Sequence, residues 1–485
     1  AAIARERDPE GLLVANHVSL LDALLVEAAV PRTVRFVVLR DLVEKPVVGW
    51  FLRMVGVIPV RAGMGRKALE EFAESCRDEL RRGRAVCIFA EGAISRHGQM
   101  QGFQRGLELV LRGVDAPIVP LHLEGVVGRP FSWPAGKLEW RPWRGALRRV
   151  HILAGPALPA RTTAFAVRQA VAELSVENFA NRFSDDQTLG TVFHASCRRP
   201  GVRTLWTDTT GAKLSAPQAL LKCNVLALHL RGQFLPQERV GVLLPATVAG
   251  AVANVSLTLS GCVPVNLNFT ASREAMQGAV AKAGISTVIT SRKFLHKLGI
   301  ECPAHALFLE DVPKRITLAQ RLGGVVASLL PAGLAARWLG RRAPRIGDVA
   351  TILFSSGSTG VPKGVPLTHR NVLSNLHGIL NLYGLEGTDV VAGTLPFFHA
   401  FGYTGTIWLP IAAHCGAAFH PNPTESRVVG DMVESAKATV LVTTPTFLES
   451  YLRRVDSSKF ASLRHLVTGA EKLSAPLREA VHKEW

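Results

Sequence analysis

His17 and Asp22 are residues whose types and spacing could support catalysis. His17 ends an apolar, strand-like run, and Asp22 follows five residues later, where the first turn of a helix would lie. From that position a carboxylate can contact the imidazole, fix its tautomer and stabilise its charged form. An imidazole oriented in this way can take a proton from an alcohol that attacks an activated acyl group. The pair therefore predicts a general base with a carboxylate partner.

A second group of residues has the composition of a phosphate-binding loop. A buried-strand pattern over residues 350–354 leads into a run of small and hydroxyl-bearing residues that ends at Gly364. Small residues let the backbone approach phosphate oxygens, and Lys363 adds a mobile positive charge. The run lacks the Walker A spacing, so a P-loop NTPase is a poor match. The residues predicted to bind phosphate are Ser355, Ser356, Gly357, Ser358, Thr359, Gly360 and Lys363.

The elements that must position these groups alternate between strand-like and helix-like patterns, which predicts an α/β fold. Because single cores stop growing near about 250–300 residues, a chain of 485 residues is expected to form two domains. The alternation fills residues 1–183 and repeats over 201–485. Between them, residues 184–200 are predicted to form a linker. Polar residues at strand ends are expected to mark the sites, as in open α/β folds.

Composition limits the possible partners and compartments. The net charge of +18 indicates an anionic partner, such as a membrane surface, nucleic acid or an acidic carrier protein, or else an arginine-rich surface without a specific role. Seven scattered cysteines predict neither a disulfide framework nor a zinc site, and no metal-ligating cluster is assigned. No apolar run approaches the ~18 residues of a membrane-spanning helix.

Residues 323–340 form an apolar stretch bracketed by arginines. This mixture is expected of a segment that lies on a membrane surface. A buried helix of the second domain is an equally good interpretation, because Pro331 interrupts the stretch.

Three further segments accompany His17 and Asp22, at residues 56–61, 89–95 and 116–120. In order and spacing these four blocks resemble the glycerolphosphate/lysophospholipid acyltransferase superfamily over roughly residues 10–180. The resemblance implies that His17 is the general base and Asp22 its orienting partner. It also implies an acceptor pocket in which Arg61 contacts a phosphate, although Arg61 alone could be a solvated surface residue. The implied acceptor-binding residues are Arg61, Glu91 and Gly92.

Residues 355–364 resemble the signature loop of the adenylate-forming superfamily, which includes acyl-CoA synthetases and luciferases. Residues 395–402 resemble that superfamily's aromatic segment beside the acyl pocket, and residues 468–473 resemble its adenine-contacting segment. The resemblance implies ATP and Mg²⁺ as cofactors. It places His399 at the acyl pocket, and the residues that it implies for adenine binding are Gly469, Ala470 and Glu471.

The order of the two domains resembles bifunctional enzymes that join acyl-carrier-protein acylation to lysophospholipid repair. This implies that a fatty acid is activated as an acyl-adenylate, loaded onto acyl carrier protein, and transferred to a lysophospholipid at the cytoplasmic side of the cell membrane. A CoA ligase fused to a 1-acylglycerol-3-phosphate acyltransferase is the alternative enzyme. A basic protein that binds membrane or nucleic acid without catalysis is the alternative from another class. Nucleic acid is not expected, since no basic stripe carries interleaved aromatic residues.

The ends of the sequence carry a further expectation. The chain stops before the segments that, by resemblance, hold the ribose and supply a second catalytic lysine. It also begins without an initiator methionine. We therefore expect a fragment whose adenylating half is inactive as truncated.

Overall fold

The computed structural model describes residues 11–61, 65–95, 98–126, 150–181, 183–199, 204–355 and 362–485. The chain divides into two compact units, residues 1–182 and 183–485. Both units alternate strands and helices, which confirms the predicted α/β class.

The first unit is built on a six-stranded sheet with the order β3-β2-β4-β1-β5-β6. The first five strands in this order run parallel, and β6 pairs antiparallel with β5. In chain order the elements are β1 (Leu12–Ala15), α1 (Asp22–Ala29), β2 (Val34–Leu39), α2 (Arg40–Val43), α3 (Pro46–Val55), β3 (Ile58–Val60), α4 (Arg66–Arg81), β4 (Ala85–Phe89), α5 (Gly106–Val110), β5 (Ile118–Glu124), β6 (His151–Ala154) and α6 (Ala164–Asn181).

Strand β1 lies at the centre of this unit, and its burial explains its unbroken apolar sequence. Leu12 and Val14 belong to a core cluster on one face of the sheet, together with apolar residues of α4 and α5. Leu13 and Ala15 belong to a cluster on the opposite face, which includes Val26 of α1. Because both faces are covered, the strand shows no polar alternation.

The second unit contains three sheets among its described residues. Their orders are β10-β9-β11-β12, β13-β14 and β18-β17-β15-β16-β7-β8. The elements are α7 (Leu189–Cys197), β7 (Trp206–Asp208), β8 (Lys213–Leu214), α8 (Ala216–Arg231), β9 (Arg239–Leu243), α9 (Val248–Ser260), β10 (Val263–Asn266), α10 (Arg273–Ala283), β11 (Thr287–Thr290), α11 (Arg292–Leu298), β12 (His305–Phe308), α12 (Val312–Arg315), α13 (Leu318–Leu329), α14 (Ala332–Leu339), β13 (Val349–Ser355), β14 (Lys363–Thr368), α15 (His369–Tyr383), β15 (Val390–Gly393), α16 (Ala400–Gly402), α17 (Leu409–Ala413), β16 (Gly416–Phe419), α18 (Ser426–Ala436), β17 (Val440–Thr443), α19 (Pro445–Arg454), β18 (His465–Thr468) and α20 (Ala475–Glu484), with a π-helical turn at Tyr403–Trp408 and a 3₁₀ turn at Ser457–Phe460.

The structure corrects the prediction of a linker over residues 184–200. Helix α7 occupies most of that segment, with Leu189, Phe193 and Cys197 buried. The side chain of Thr188 caps the helix by accepting a hydrogen bond from the Thr191 N–H. The Ser/Asp and Arg/Pro residues that suggested a linker lie on either side of this helix.

Residues 323–340 lie in helices α13 and α14, and Pro331 separates the two. Each helix has buried residues, and each also exposes large apolar side chains. Across the described parts of the chain, no helix is both long enough and apolar enough to cross a membrane.

Candidate active sites

The predicted pair His17 and Asp22 is in direct contact at the carboxyl end of β1. The imidazole Nδ1 lies 2.8 Å from the Asp22 Oδ2, and Asp22 is fully buried in the first turn of α1. Because an ionised carboxylate only accepts hydrogen bonds, Nδ1 carries the hydrogen and Nε2 keeps its lone pair. The His17 side chain remains 21% exposed, so a substrate can reach the ring. This geometry is compatible with the general-base role predicted for His17, and that role stays a prediction.

The same carboxylate oxygen also fixes the backbone of residues 17–19, which we call the His17 loop. Asp22 Oδ2 accepts the N–H of Val18 at 2.6 Å and the N–H of Ser19 at 2.8 Å. The His17 ring stacks on Phe89, the last residue of β4, with ring centroids 4.3 Å apart and planes inclined by 17°. The imidazole is therefore held both by a charge and by an aromatic surface.

Asn16 ties the segment around His17 to β5, the strand that lies beside β1 in the sheet. The sequence analysis assigned Asn16 no role. Its Nδ2 donates to the Leu123 carbonyl at 3.1 Å, and its Oδ1 accepts the Leu123 N–H at 2.8 Å. The side chain is buried, and both hydrogen bonds link the end of β1 to β5, its neighbour in the sheet. An asparagine at the end of an apolar strand was the available signal, but its partner lies 107 residues away.

Glu91 and Gly92 form the turn after β4, next to the histidine. Glu91 is buried, and its Oε1 accepts the His17 N–H at 2.7 Å while its Oε2 accepts the Gln101 N–H at 2.8 Å. Burial raises the pKa of this carboxyl, and the hydrogen bonds from Gln101 and His17 oppose that shift. Gly92 has φ +73°, a conformation that suits glycine. Glu91 thus positions the His17 backbone, and its predicted contact with the acyl acceptor stays a prediction.

Arg61 follows β3, at the same edge of the sheet as His17 but three strands away from β1. With strands spaced about 4.8 Å apart, the separation is about 14 Å, so the two residues are not direct neighbours. The guanidinium is exposed, and its Nη2 lies 3.7 Å from the Glu44 Oε1. The phosphate contact predicted for Arg61 remains a prediction.

The second unit contains a cleft of about 1460 Å³. It brings together His399, Ala470 and Glu471, which are three of the residues predicted for the acyl and adenine sites. Its walls include an aromatic cluster in which Phe269 contacts Phe294 and Phe398 edge to face, at centroid distances of 5.1 and 5.0 Å. A largely apolar cleft with a few polar groups is the usual form of a small-molecule site.

The predicted adenine segment approaches the cleft after β18. A Cβ on Gly469 would lie 3.0 Å from the Phe401 ring, so glycine permits this close packing. Ala470 has φ +67°, an uncommon conformation for a residue with a side chain. Glu471 Oε2 accepts hydrogen bonds from the Thr446 hydroxyl at 2.6 Å and from its N–H at 3.2 Å, at the start of α19. A carboxylate is favoured at this positive helix end.

His399 precedes α16 and faces the cleft beside the aromatic cluster. Its ring lies 4.7 Å from the Phe398 ring, measured between centroids. Desolvation by the surrounding walls lowers the pKa of the imidazole. The neutral ring therefore adds no positive charge to the largely apolar cleft at neutral pH.

Of the predicted phosphate loop, the structure describes the two ends, in the antiparallel strands β13 and β14. Ser355 and Lys363 face each other across these strands, and both are exposed. Neither lines the cleft described above. The predicted residues that lie outside the described part of the chain are Ser356, Gly357, Ser358, Thr359 and Gly360.

Family models match part of each unit. A family model described as "AMP-binding enzyme" matches residues 193–485, more than half of the chain. The chain belongs to the AMP-binding enzyme family. A second model, described as "Acyltransferase", matches residues 4–124 and covers His17, Asp22 and Glu91. The two matches agree with the predicted order of an acyltransferase domain followed by an adenylate-forming domain.

Curated relatives of this AMP-binding enzyme include two CoA-ligase-type proteins. The feruloyl-CoA synthase of Amycolatopsis sp is 28% identical over 291 residues, which are 59% of this chain and 53% of that protein. The probable 4-coumarate–CoA ligase 2 of Dictyostelium discoideum is 32% identical over 143 residues, 28% of this chain and 26% of that protein. The chain spans about half, or less, of the length of the curated relatives that it matches.

Solved structures share the fold of the second unit. A fatty acyl-adenylate ligase from L. pneumophila, in complex with acyl adenylate and pyrophosphate, has a TM-score of 0.51 and 19% identity, covering 61% of this chain and 52% of that one. The anthranilate CoA ligase AuaEII, in complex with anthranoyl-AMP, has a TM-score of 0.51 and 18% identity, with coverage of 63% and 58%. This likeness shows a common adenylate-forming fold.

Proposed function

We propose that this enzyme transfers a fatty acyl group to the free hydroxyl of a lysophospholipid similar to 2-acylglycerophosphoethanolamine. The observation that carries the proposal is the 2.8 Å contact between His17 Nδ1 and Asp22 Oδ2, which leaves Nε2 free on a partly exposed ring. An acyl thioester is the donor. The lipid substrate and the thiol carrier are inferred from the domain order, which resembles bifunctional acyl-[acyl-carrier-protein] synthetase/2-acylglycerophosphoethanolamine acyltransferases.

The transfer step follows from the orientation of the imidazole. Nε2 of His17 removes the proton of the lipid hydroxyl while the hydroxyl oxygen attacks the thioester carbonyl carbon. The tetrahedral intermediate collapses, the carbon–sulfur bond breaks, and the thiolate leaves with the proton returned by the imidazolium. Asp22 stabilises the imidazolium that exists between these two proton transfers. Glu91 and Asn16 keep the histidine backbone in place during the reaction.

We propose that the second unit prepares the acyl donor. A fatty acid carboxylate attacks the α-phosphate of ATP, which gives an acyl-adenylate and releases pyrophosphate. A thiol then attacks the acyl carbonyl carbon, and AMP leaves. The thiol belongs to acyl carrier protein in this proposal, and CoA is the competing acceptor. The apolar walls around Phe269, Phe294 and Phe398 suit the acyl chain.

We propose that substrate phosphates and carboxylates of the same cleft would hold Mg²⁺ together. Carboxylates of Glu310, Glu425 and Glu471 line the cleft, and Mg²⁺ is commonly held by one or two carboxylates together with substrate phosphates. In the described residues, no group of three or more His, Cys, Asp or Glu side chains is arranged to hold a metal ion. Bound magnesium would neutralise phosphate charge.

The test supplies the first unit with pre-formed donors. Palmitoyl-acyl carrier protein and palmitoyl-CoA are each combined with 2-acylglycerophosphoethanolamine or with 1-acylglycerol-3-phosphate, and diacyl product is measured. The proposal expects the fastest turnover with the carrier-protein donor and the ethanolamine lipid. It also expects His17→Ala to lower this rate by about 10²–10⁴-fold, whereas His305→Ala, at an exposed position in β12, does not. Near-normal transfer by a folded His17→Ala protein would overturn it, and preference for CoA with 1-acylglycerol-3-phosphate would favour the alternative enzyme.

A further inference from the structure

Helix α13 exposes its apolar side and buries its small residues. Leu318, Leu322 and Leu329 expose 71%, 60% and 72% of their surface. Val325 and Val326, which lie between Leu322 and Leu329 in the sequence, expose 45% and 43%. These five positions lie on one face of the helix, since residues three and four apart are neighbours there. A surface helix normally turns such a stripe toward the core. Here the stripe faces outward.

The inward face of α13 explains why the helix cannot simply rotate. Gly323 and Gly324 face α8, where a Cβ on Gly324 would lie 2.4 Å from the Val225 Cγ2 and one on Gly323 would lie 2.9 Å from the Leu228 Cδ1. Ala327 is fully buried on the same side. Because this interface has no room even for a methyl group at Gly324, it cannot accept the leucines. The exposure of the stripe is therefore built into the packing.

Helix α14 extends the exposed apolar surface. Its residues Leu334 and Trp338 are 53% and 47% exposed, while Ala335, Ala336 and Leu339 are buried. The Nη1 of Arg231 donates to the Trp338 carbonyl at 2.5 Å and holds the end of the helix against α8. We call the combined surface the apolar patch; its residues are Leu318, Leu322, Val325, Val326, Leu329, Leu334 and Trp338.

The segment that carries the apolar patch is basic. Residues 312–347, which contain both helices, include seven lysines and arginines and no aspartate or glutamate. Arg321 lies within α13 and Arg337 within α14, and both are exposed. A basic rim around an aliphatic and tryptophan surface suits an anionic lipid interface, where apolar side chains enter the headgroup region and arginines meet phosphates.

We propose that the apolar patch docks this enzyme on the surface of an anionic lipid bilayer. Charge favours this occupant over a second copy of the chain, because a two-fold contact through the patch would bring two basic rims together. The aliphatic centre of the patch also differs from the aromatic stacking surface of a single-stranded nucleic-acid site. Attachment through the apolar patch does not depend on which lipid is the acyl acceptor.

Vesicle flotation tests the proposal with the whole chain. Wild-type protein is mixed with vesicles of phosphatidylcholine alone or of phosphatidylcholine with phosphatidylglycerol. We expect binding to the anionic vesicles, reduced at high salt because the electrostatic part is screened. Leu322→Gln with Leu329→Gln should lower the partition coefficient at least about tenfold, because two apolar side chains no longer enter the interface. Glutamine keeps helix propensity close to that of leucine.

Matched variants separate the apolar patch from general surface effects. Val176→Gln with Leu382→Gln changes two exposed apolar residues in α6 and α15 and should leave binding unchanged. Arg321→Gln with Arg337→Gln should weaken binding by about fivefold per arginine. Arg427→Gln with Arg454→Gln removes the same net charge from exposed positions in α18 and α19 and should have little effect.

Three results would overturn the proposal, provided that circular dichroism shows folded variants. The first is absence of wild-type binding to the anionic vesicles. The second is equal binding by wild type and the Leu322/Leu329 variant. The third is a wild-type dimer in light scattering that this variant converts to a monomer, since the patch would then bind a second copy.

Discussion

The Oε1 of Glu91 accepts the backbone N–H of His17 at 2.7 Å, although the two residues are 74 positions apart. The other carboxylate oxygen accepts the N–H of Gln101 at 2.8 Å. Both oxygens are therefore used in holding backbone. This makes Glu91 a positioning residue for His17, the proposed general base.

Replacing Glu91 by glutamine should reduce turnover with little change in KM for the lysophospholipid. One end of the glutamine amide is a donor and would face an N–H group, so the His17 loop would shift. A displacement near 1 Å can cost about 10²-fold in rate. Steady-state kinetics of Glu91→Gln give the answer. An increase in KM at unchanged kcat would instead support the acceptor-binding role predicted from the sequence.

Gly469→Ala should weaken binding of an acyl-adenylate to the cleft of the second unit. The new methyl group would lie 3.0 Å from the Phe401 Cε1, and Phe401 lines that cleft. Crowding of this kind typically costs about 1–3 kcal/mol, which corresponds to roughly tenfold or more in affinity. Calorimetry with palmitoyl-sulfamoyl adenosine measures it. Gly278→Ala in α10, where a Cβ has nothing within 4 Å, is the control and should bind normally.

Lys363→Ala should weaken ATP binding by about ten- to a hundredfold, the effect of losing one charge-assisted hydrogen bond to phosphate. Lys363 is exposed at the start of β14, opposite Ser355, and belongs to the predicted phosphate loop. Fluorescence titration with a labelled ATP analogue can detect the change. Lys483→Ala, an exposed lysine in α20, provides the comparison. Equal affinity in both variants would remove Lys363 from the nucleotide site.

Acidification should destabilise the second unit through His369. Burial lowers the pKa of this imidazole to about 4, and its Nδ1 accepts the N–H of Leu189 at 3.3 Å at the start of α7. Below pH 6.5 the unfolded chain binds a proton at this histidine, whereas the folded chain does so only near pH 4. The contribution of the neutral, buried His369 to the free energy of unfolding is therefore fully present above pH 6.5 and is lost as the pH falls toward 4. The slope is about 1.4 kcal/mol per pH unit for one proton.

His369→Asn tests this account, because the asparagine oxygen can still accept the Leu189 N–H but does not titrate in this range. Urea unfolding between pH 6.5 and 4 should show a shallower loss of stability than in the wild type. His482→Asn, at an exposed position in α20, should keep the wild-type slope. An unchanged slope in His369→Asn would mean that other buried groups dominate; His194, whose pKa burial lowers to about 4, is the next to replace.

The sequence was sufficient for the local parts of the fold and of the first site. The apolar run of β1 and the five-residue spacing of His17 and Asp22 are local features, and the predicted contact is present at 2.8 Å. The hydrogen bonds of Asn16 with Leu123 and of Glu91 with Gln101 depend on strand order and turn geometry. Composition and periodicity carry no information on such pairings.

Helices α7 and α13 show that the sequence does not always predict which helices, or which helix faces, are buried. Helix α7 is short, and linker-like residues flank it on both sides. Its local signals are the Thr188 cap and the apolar spacing of Leu189, Phe193 and Cys197, and they cover only nine residues. The apolar stripe of α13 predicts a buried face by its periodicity. The close approach of Gly324 to Val225 reverses that expectation, because the side that fits against α8 is the one without side chains.

The π-helical turn at Tyr403–Trp408 lies fully buried between Phe401 in the cleft wall and helix α17. A π turn holds more residues than an α turn, so residues beyond it are rotated relative to a continuous α-helix, by about 100° for each residue gained. Deleting one residue here would turn either Phe401 away from the cleft or Trp408 out of the core. The length of this segment thus matters as much as its chemistry: a change of one amino acid for another leaves the register of the cleft wall intact, whereas an insertion or deletion would alter the shape of the cavity.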